Sequence, residues 1–157
     1  MVSVFESAER AQEAIDRLEE AGFDASKLSV IGKEEPSVVR PMGVAVAGAR
    51  AAVWGQRSAL WDRLIDTPAA IALIWVPFIG HVVAVGPAAR VLAGGHWQAQ
   101  ASRHSSALAR MLTLAGMSPG EVQTYEAAVR GGQILLLLHG SSADAVRARH
   151  LLNSLHA

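Results

Sequence analysis

Residues Thr67 to Ala89 read TPAAIALIWVPFIGHVVAVGPAA, a stretch that contains no Asp, Glu, Lys or Arg. Its length matches the roughly 20 apolar residues that cross a bilayer. Pro77 and Gly80 interrupt it, because proline lacks an amide donor and glycine adds backbone freedom. Two apolar arms of about ten residues, each too short to span, would then fold back on each other. The stretch is therefore predicted to be either the buried core of an assembly or a hairpin that dips into a membrane.

The composition agrees with a chain that buries much of its surface. The 157 residues fit one domain, or one domain with a large insertion. Apolar residues make up 51% of the chain and charged residues 18%, which is rich in apolar residues for a small soluble monomer. There is no cysteine, so disulfides, thiolate metal sites and cysteine catalysis are excluded.

The charge is unevenly distributed, although the formal net charge is zero. The segment 41–117 carries six arginines and two aspartates, and it holds all four tryptophans. The remainder of the chain is correspondingly acidic. We therefore predict two unlike parts: an acidic shell formed by residues 1–40 and 118–157, and a basic, apolar helical insert formed by residues 41–117, with a hairpin around 77–81.

Local signals outside the insert alternate between strands and helices. Val2 to Phe5 favours a strand, and Ser7 is a suitable N-cap for an amphipathic helix over Ala8 to Ala21 that ends at Gly22. Leu28 to Lys33 favours a second strand, and Ser37 to Arg40 a short third one. Ser118-Pro119-Gly120-Glu121 is a capping box that starts a helix ending before Gly131 and Gly132.

Inside the insert, small residues predict helices over Gly43 to Trp54 and Gln56 to Ile65, and a further helix is predicted over Gln98 to Ala115. The last strand, Gln133 to His139, is followed by a helix over Ser142 to Leu155. The fold class is therefore α+β. The order matches the ferredoxin-like β-α-β-β-α-β plan, with a helical insert and an added C-terminal helix.

The last strand contains the run Ile134 to Leu138, ILLLL. Five consecutive apolar residues indicate that both faces of this strand are covered. In the ferredoxin-like order the last strand lies at the sheet edge, where an apolar strand must be paired or covered. We therefore expect the protein to be a homo-oligomer.

Three parts of the sequence resemble one protein family. They are the AGFD turn after the first helix, the PFIG break at Pro77 to Gly80, and the lead into the last strand that includes Tyr125, Glu126, Gly131 and Gly132. With these motifs the chain resembles the YflT-like, heat-induced general stress proteins of bacteria and a related group of small predicted membrane proteins of unknown function. The resemblance implies stress-linked expression, a ferredoxin-like shell and a glycine-rich hydrophobic insert. The family has no established enzymatic activity or catalytic residues to carry over to this chain.

Patterns that carry chemistry are weak. Gly43 and Gly48 suggest a phosphate-binding loop, but Ala49 and Arg50 stand where lysine and serine or threonine are needed. The histidines lack the converging ligands that a zinc site requires. Basic residues are too sparse for a nucleic-acid interface, which we do not expect. We predict no catalytic residue, cofactor, metal or small-molecule substrate.

The leading hypothesis is a non-enzymatic, stress-associated protein that self-assembles through its apolar insert, either as an oligomer core or as a membrane-associated hairpin. The alternatives are a ligand-sensing module, suggested by fold analogy, and a metal-binding protein or enzyme that uses His96, His104 or His139. The N-terminus lacks the features of a signal peptide, so we expect a cytoplasmic location, with contact to the inner face of the membrane if the hairpin binds lipid. The residues predicted for self-association or membrane contact are Trp75, Val76, Pro77, Phe78, Ile79, Gly80, His81, Val83, Leu136 and Leu138.

Overall fold

A computed structural model of the chain describes residues 1–33, 43–47, 50–54, 71–76, 78–94 and 106–156. It confirms the α+β class. The seven strands described are β1 (Val2–Phe5), β2 (Leu28–Lys33), β3 (Gly43–Ala47), β4 (Arg50–Trp54), β5 (Ile71–Val76), β6 (Gly80–Val85) and β7 (Ile134–Leu138). The helices described are α1 (Ala8–Glu20), α2 (Pro87–Gly94), α3 (Ala107–Leu114), α4 (Pro119–Arg130) and α5 (Ser142–His156), with a short 3₁₀ helix at Ala25–Lys27.

Five strands form one antiparallel sheet in the order β1-β7-β2-β6-β5, and β3 pairs with β4 separately. β7 therefore lies between β1 and β2. This corrects the expectation that the last strand is a sheet edge, and the strand order is not the ferredoxin-like one. The chain connects β1 to β2 through α1, and these two strands run parallel because each is antiparallel to β7.

Helices cover both faces of the sheet. On the first face, α1 and α5 pack on alternate residues of the strands, including Phe5, Val30 and Leu136. On the second face, α2, α3 and α4 pack on the intervening residues, including Ile31, Leu135 and Leu137. The prediction that β7 is covered on both faces is confirmed, since all five of its residues are buried. The cover comes from helices of the same chain.

The predicted helical hairpin is wrong, because β5 and β6 form a β-hairpin. The helix predicted over Gly43 to Trp54 is likewise wrong, because residues 43–47 form β3 and residues 50–54 form β4. β-branched residues, among them Ile71, Val82 and Val85, favour a pleated strand over a helix in short apolar segments. β6 also pairs with β2, so this part of the predicted insert is joined to the main sheet. The segments Gln56 to Ile65 and Ser37 to Arg40 lie outside the described residues.

The helix caps predicted at Ser7 and Ser118 are confirmed by their hydrogen bonds. The Ser7 hydroxyl accepts from the Arg10 N–H at the start of α1. Ser118 and Glu121 form a complete capping box at the start of α4, with Pro119 in the first turn. Gly22 has a positive φ of 83° after α1. Of the helix predicted over Gln98 to Ala115, α3 covers Ala107–Leu114, and residues 95–105 are not described.

Gly86 joins β6 to α2 at a point where no side chain fits. Its φ is +96°, and a Cβ placed on it would lie 2.2 Å from the Leu28 carbonyl oxygen. Replacement by any other residue would require both an unfavourable backbone conformation and a shift of β2 or β6. The close approach therefore fixes the distance between the start of α2 and β2.

We expect Gly86→Ala to lower the free energy of unfolding by about 3 kcal/mol or more, because backbone strain and a backbone clash act together. Gly22→Ala is the matched control: its φ is also positive, at +83°, but nothing lies within 4 Å of the added Cβ. The control should cost about 1 kcal/mol. Urea unfolding of both variants measures the difference, and equal losses would show that the contact with Leu28 is not a constraint.

Candidate functional site

The turn between β5 and β6 presents an aromatic side chain to solvent. The Ile79 N–H donates to the Val76 carbonyl at 3.1 Å, which closes the turn. Phe78 precedes Ile79 and has a φ of 67°, so it adopts the left-handed conformation that turns normally assign to glycine or asparagine. Its side chain is 91% exposed. Phe78 is therefore both strained and unburied, a combination that packing against the described residues does not explain.

The other residues predicted for self-association lie in different environments. Val76, Ile79 and Val83 are buried within the chain. Gly80 is half-buried and has a positive φ of 103°. Trp75 and His81 are opposite each other in the hairpin register, and Pro77 lies outside the described residues. Phe78 is thus the member of this group whose side chain is seen to be exposed.

Leu136 and Leu138 are the remaining members of the predicted group. Both are on β7 and pack under α1 and α5. They contribute to the core of a single chain, and their side chains are not presented to a second molecule.

A buried polar cluster joins three parts of the fold. The Ser29 hydroxyl on β2 accepts a hydrogen bond from the Ala88 N–H at 2.9 Å, and its oxygen lies 2.8 Å from Nε2 of His139, which directly follows β7. Ser29 is fully buried and is the one buried polar residue of the core among the residues described. We call Ser29, His139 and the Ala88 N–H the Ser29 cluster.

The Ser29 cluster supplies a helix cap that the local sequence lacks. A helix start normally receives a side-chain oxygen from its N-cap residue. α2 follows Gly86, which has no side chain and admits none. The hydroxyl of Ser29, on a neighbouring strand, therefore accepts the Ala88 N–H in its place.

His139 is half-buried, and two features of its surroundings lower its pKa from the ordinary value. Burial is the larger cause, because it disfavours the imidazolium, and the positive charge of the Met1 amino group is the smaller. That amino group donates to the Leu138 carbonyl at 3.1 Å, so it lies at the same end of β7. Both effects favour neutral imidazole beside Ser29.

A serine hydroxyl beside a histidine is the arrangement that activates a nucleophile. A nucleophile must meet a substrate, however, and Ser29 has no exposed surface. Its hydroxyl is also engaged by the Ala88 N–H. The cluster is therefore suited to hold structural elements together and not to attack a substrate.

Sequence patterns did not identify this cluster, because Ser29 and His139 are 110 residues apart. His139 enters the predictions only as a candidate residue of a histidine-based metal site or enzyme. The available signal was the single serine within the apolar strand Leu28–Lys33, together with a helix start at Gly86-Pro87 that has no capping side chain. His96 and His104 are outside the described residues. In the described part of the chain, no group of three or more His, Asp or Glu side chains is arranged to hold a metal ion.

No described helix is both long enough and apolar enough to cross a membrane. Comparison of the chain with family models, curated proteins and solved structures finds no match.

Removal of the Ser29 hydroxyl should weaken the start of α2. We expect Ser29→Ala to lower the free energy of unfolding by about 1–2 kcal/mol, since it deletes a helix cap and leaves the Ala88 N–H without its acceptor. Ser3→Ala removes a half-buried strand hydroxyl outside the cluster and should change stability by less than about 0.5 kcal/mol. Denaturant unfolding compares the two, and a Ser29→Ala protein as stable as the control would contradict the capping role.

Proposed function

We propose that this chain is a non-enzymatic protein that assembles with copies of itself through the β5–β6 hairpin. The observation that carries the proposal is Phe78, which is 91% exposed and held at positive φ. A left-handed conformation costs a residue with a side chain roughly 1–2 kcal/mol. Burial of a phenylalanine side chain returns about 1.5–3 kcal/mol. Contact with a partner would therefore explain a strained aromatic side chain that the described part of the chain leaves uncovered.

A second copy of the chain is the partner that the hairpin suits. In a two-fold assembly the same patch is used by both molecules, so one exposed phenylalanine contributes twice. β5 supports this choice: it is the last of the described strands on its side of the main sheet, and IALIWV contains no charge and no proline. Edge strands of monomers usually carry charged residues or proline, which prevent pairing with another chain.

The role of this assembly follows from the family resemblance, which suggests expression under stress. The proposal assigns no substrate and no cofactor. The hydroxyl of the Ser29 cluster is inaccessible, and the described residues hold no metal cluster. Contact with a membrane surface is the alternative use of the same hairpin.

The test replaces Phe78 with glycine. Glycine adopts positive φ without strain, so Phe78→Gly should leave the folded monomer at least as stable while it removes the aromatic contact. Light scattering on a sizing column should give a small multiple of 16.5 kDa for the natural chain and a mass shifted toward the monomer for the variant. The melting temperature of the natural chain should also rise with protein concentration, and that of the variant should rise less.

The control is Leu114→Asn, which removes a large exposed apolar side chain, 69% exposed, at the end of α3. It should leave the mass of the assembly unchanged. A natural chain that is monomeric at all concentrations, or a Phe78→Gly variant with the same mass, would refute self-assembly through the hairpin. Sedimentation of the monomeric natural chain with lipid vesicles, lost in Phe78→Gly, would assign the hairpin to a membrane surface and likewise overturn the proposal.

A further inference from the structure

The hydrogen bonds of Ser29 favour one protonation state of His139. The Ala88 N–H donates to Oγ, and the Ser29 hydroxyl can donate its own proton to His139 Nε2, which lies 2.8 Å away. This arrangement needs the neutral ring with its proton on Nδ1, and in it every polar group of the cluster has a partner. When His139 is protonated, both ring nitrogens become donors, and the buried hydroxyl proton loses its acceptor. The cluster is therefore satisfied in the neutral state and frustrated in the charged one.

The Ser29 cluster also lies where the β5–β6 hairpin meets the helix layer. β6 ends at Val85 and α2 begins at Pro87, with Gly86 passing directly over the backbone of Leu28. Ser29 is the next residue of β2 and binds the second residue of α2. Any loosening of this contact acts on the end of β6 and the start of α2 together.

We propose that the Ser29 cluster is a proton-operated latch. With His139 neutral, the latch holds the start of α2, and the attached end of the β5–β6 hairpin, against β2. With His139 protonated, Nε2 donates to Oγ, and the buried hydroxyl proton gains an acceptor only when the start of α2 is released and water reaches Ser29. Control of self-assembly by this latch rests on the proposed function, whereas the latch itself does not.

The electric field around His139 acts in the same direction. The Met1 amino group lies at the same end of β7, and the N-terminus of α2 directs its backbone N–H groups toward Ser29. Both disfavour an imidazolium. Asp144 at the start of α5 is engaged by the Ser141 N–H and hydroxyl. The charged and titratable groups on the surrounding elements include those of Met1, Lys27, Lys33, Arg90, Asp144, Arg147, Arg149 and His150.

The pH window follows from the sign of the shift. Because the folded chain lowers the pKa of His139 below its ordinary value of 6.5, the released form binds more protons than the latched form. The latch is then fully closed above about pH 6.5 and opens as the pH falls through and below that value. Between the two pKa values, release increases up to tenfold for each unit of pH. The amino group of Met1 also has a lowered pKa, mainly from burial and secondarily from Arg149, so its titration begins to act below 8.0.

Amide hydrogen exchange followed by NMR tests the latch at the atom concerned. After correction for intrinsic exchange, protection of the Ala88 amide should fall by up to tenfold per unit below pH 6.5 in the natural chain. His139→Gln places a non-titrating amide near the position of Nε2 and should make the protection nearly independent of pH in this window. The contribution of Met1 persists in that variant and is removed by the comparison.

Two further variants keep the test decisive. His150→Gln changes an exposed histidine of α5 and should retain the full pH dependence. Ser29→Ala should leave the Ala88 amide weakly protected at every pH, and it supplies the answer if His139→Gln does not fold. Protection of Ala88 that is flat with pH in the natural chain, or that falls equally in His139→Gln, would refute the latch.

The mass of the assembly, measured above and below pH 6.5, separates the two proposals. A pH-dependent Ala88 amide with an assembly that dissociates in step supports control of assembly by the latch. If protection of the Ala88 amide changes with pH but the mass of an observed assembly does not, control of assembly by the latch is refuted, and the latch itself is supported. If the natural chain is monomeric throughout, the proposed function fails, and the response of Ala88 still decides the latch.

Discussion

Burial of β7 on both faces is the constraint on which the architecture depends. Its five apolar side chains project alternately to the two sides of the sheet, and removal of each from water contributes about 1.5–3 kcal/mol. Neither face can be left to solvent. The helices on one side, α1 and α5, and those on the other, α2 to α4, are required together. β7 also bonds to β1 and β2, so both of its backbone edges are satisfied within the chain.

The hydrophobic pattern of β7 does not by itself determine its pairing register with the neighbouring strands. Where apolar and polar residues alternate, a slip of one residue exposes the apolar set. In ILLLL a slip exchanges one apolar residue for another. The Ser29 cluster distinguishes the correct register from a slipped one. Leu28 pairs with Leu138, which brings His139 beside Ser29. Val30 pairs with Val85, which brings Gly86 opposite Ser29. A slip on either side would leave a buried hydroxyl without its partners, at a cost of about 1–3 kcal/mol.

These two interactions also explain which features could be predicted from sequence. The Ser7 cap, Gly22, the capping box at Ser118 and the doubly covered β7 depend on residues close together in the chain, and each was correctly predicted. The position of β7 within the sheet depends on long-range pairing, and it was placed wrongly. The β5–β6 hairpin was mistaken for helices because a short apolar run suits a buried helix as well as a strand. Its β-branched residues carried the distinguishing signal. The Ser29 cluster joins residues from distant parts of the chain, so no local pattern reveals it.

The same connections determine how the exposed Phe78 is presented. β6 is bonded to both β5 and β2, and it ends at Gly86, where contact with Leu28 and the Ser29 cluster hold the junction. The turn is therefore attached through β6 to the buried part of the main sheet. A side chain held on a rigid support loses less conformational entropy on binding than one on a flexible loop. The strain at Phe78 acts in the same way, because a left-handed residue in a closed turn has few alternative conformations. The fold thus places the Ser29 cluster at one end of β6 and the exposed Phe78 side chain at the other, so that a single strand, paired on both sides, connects the two.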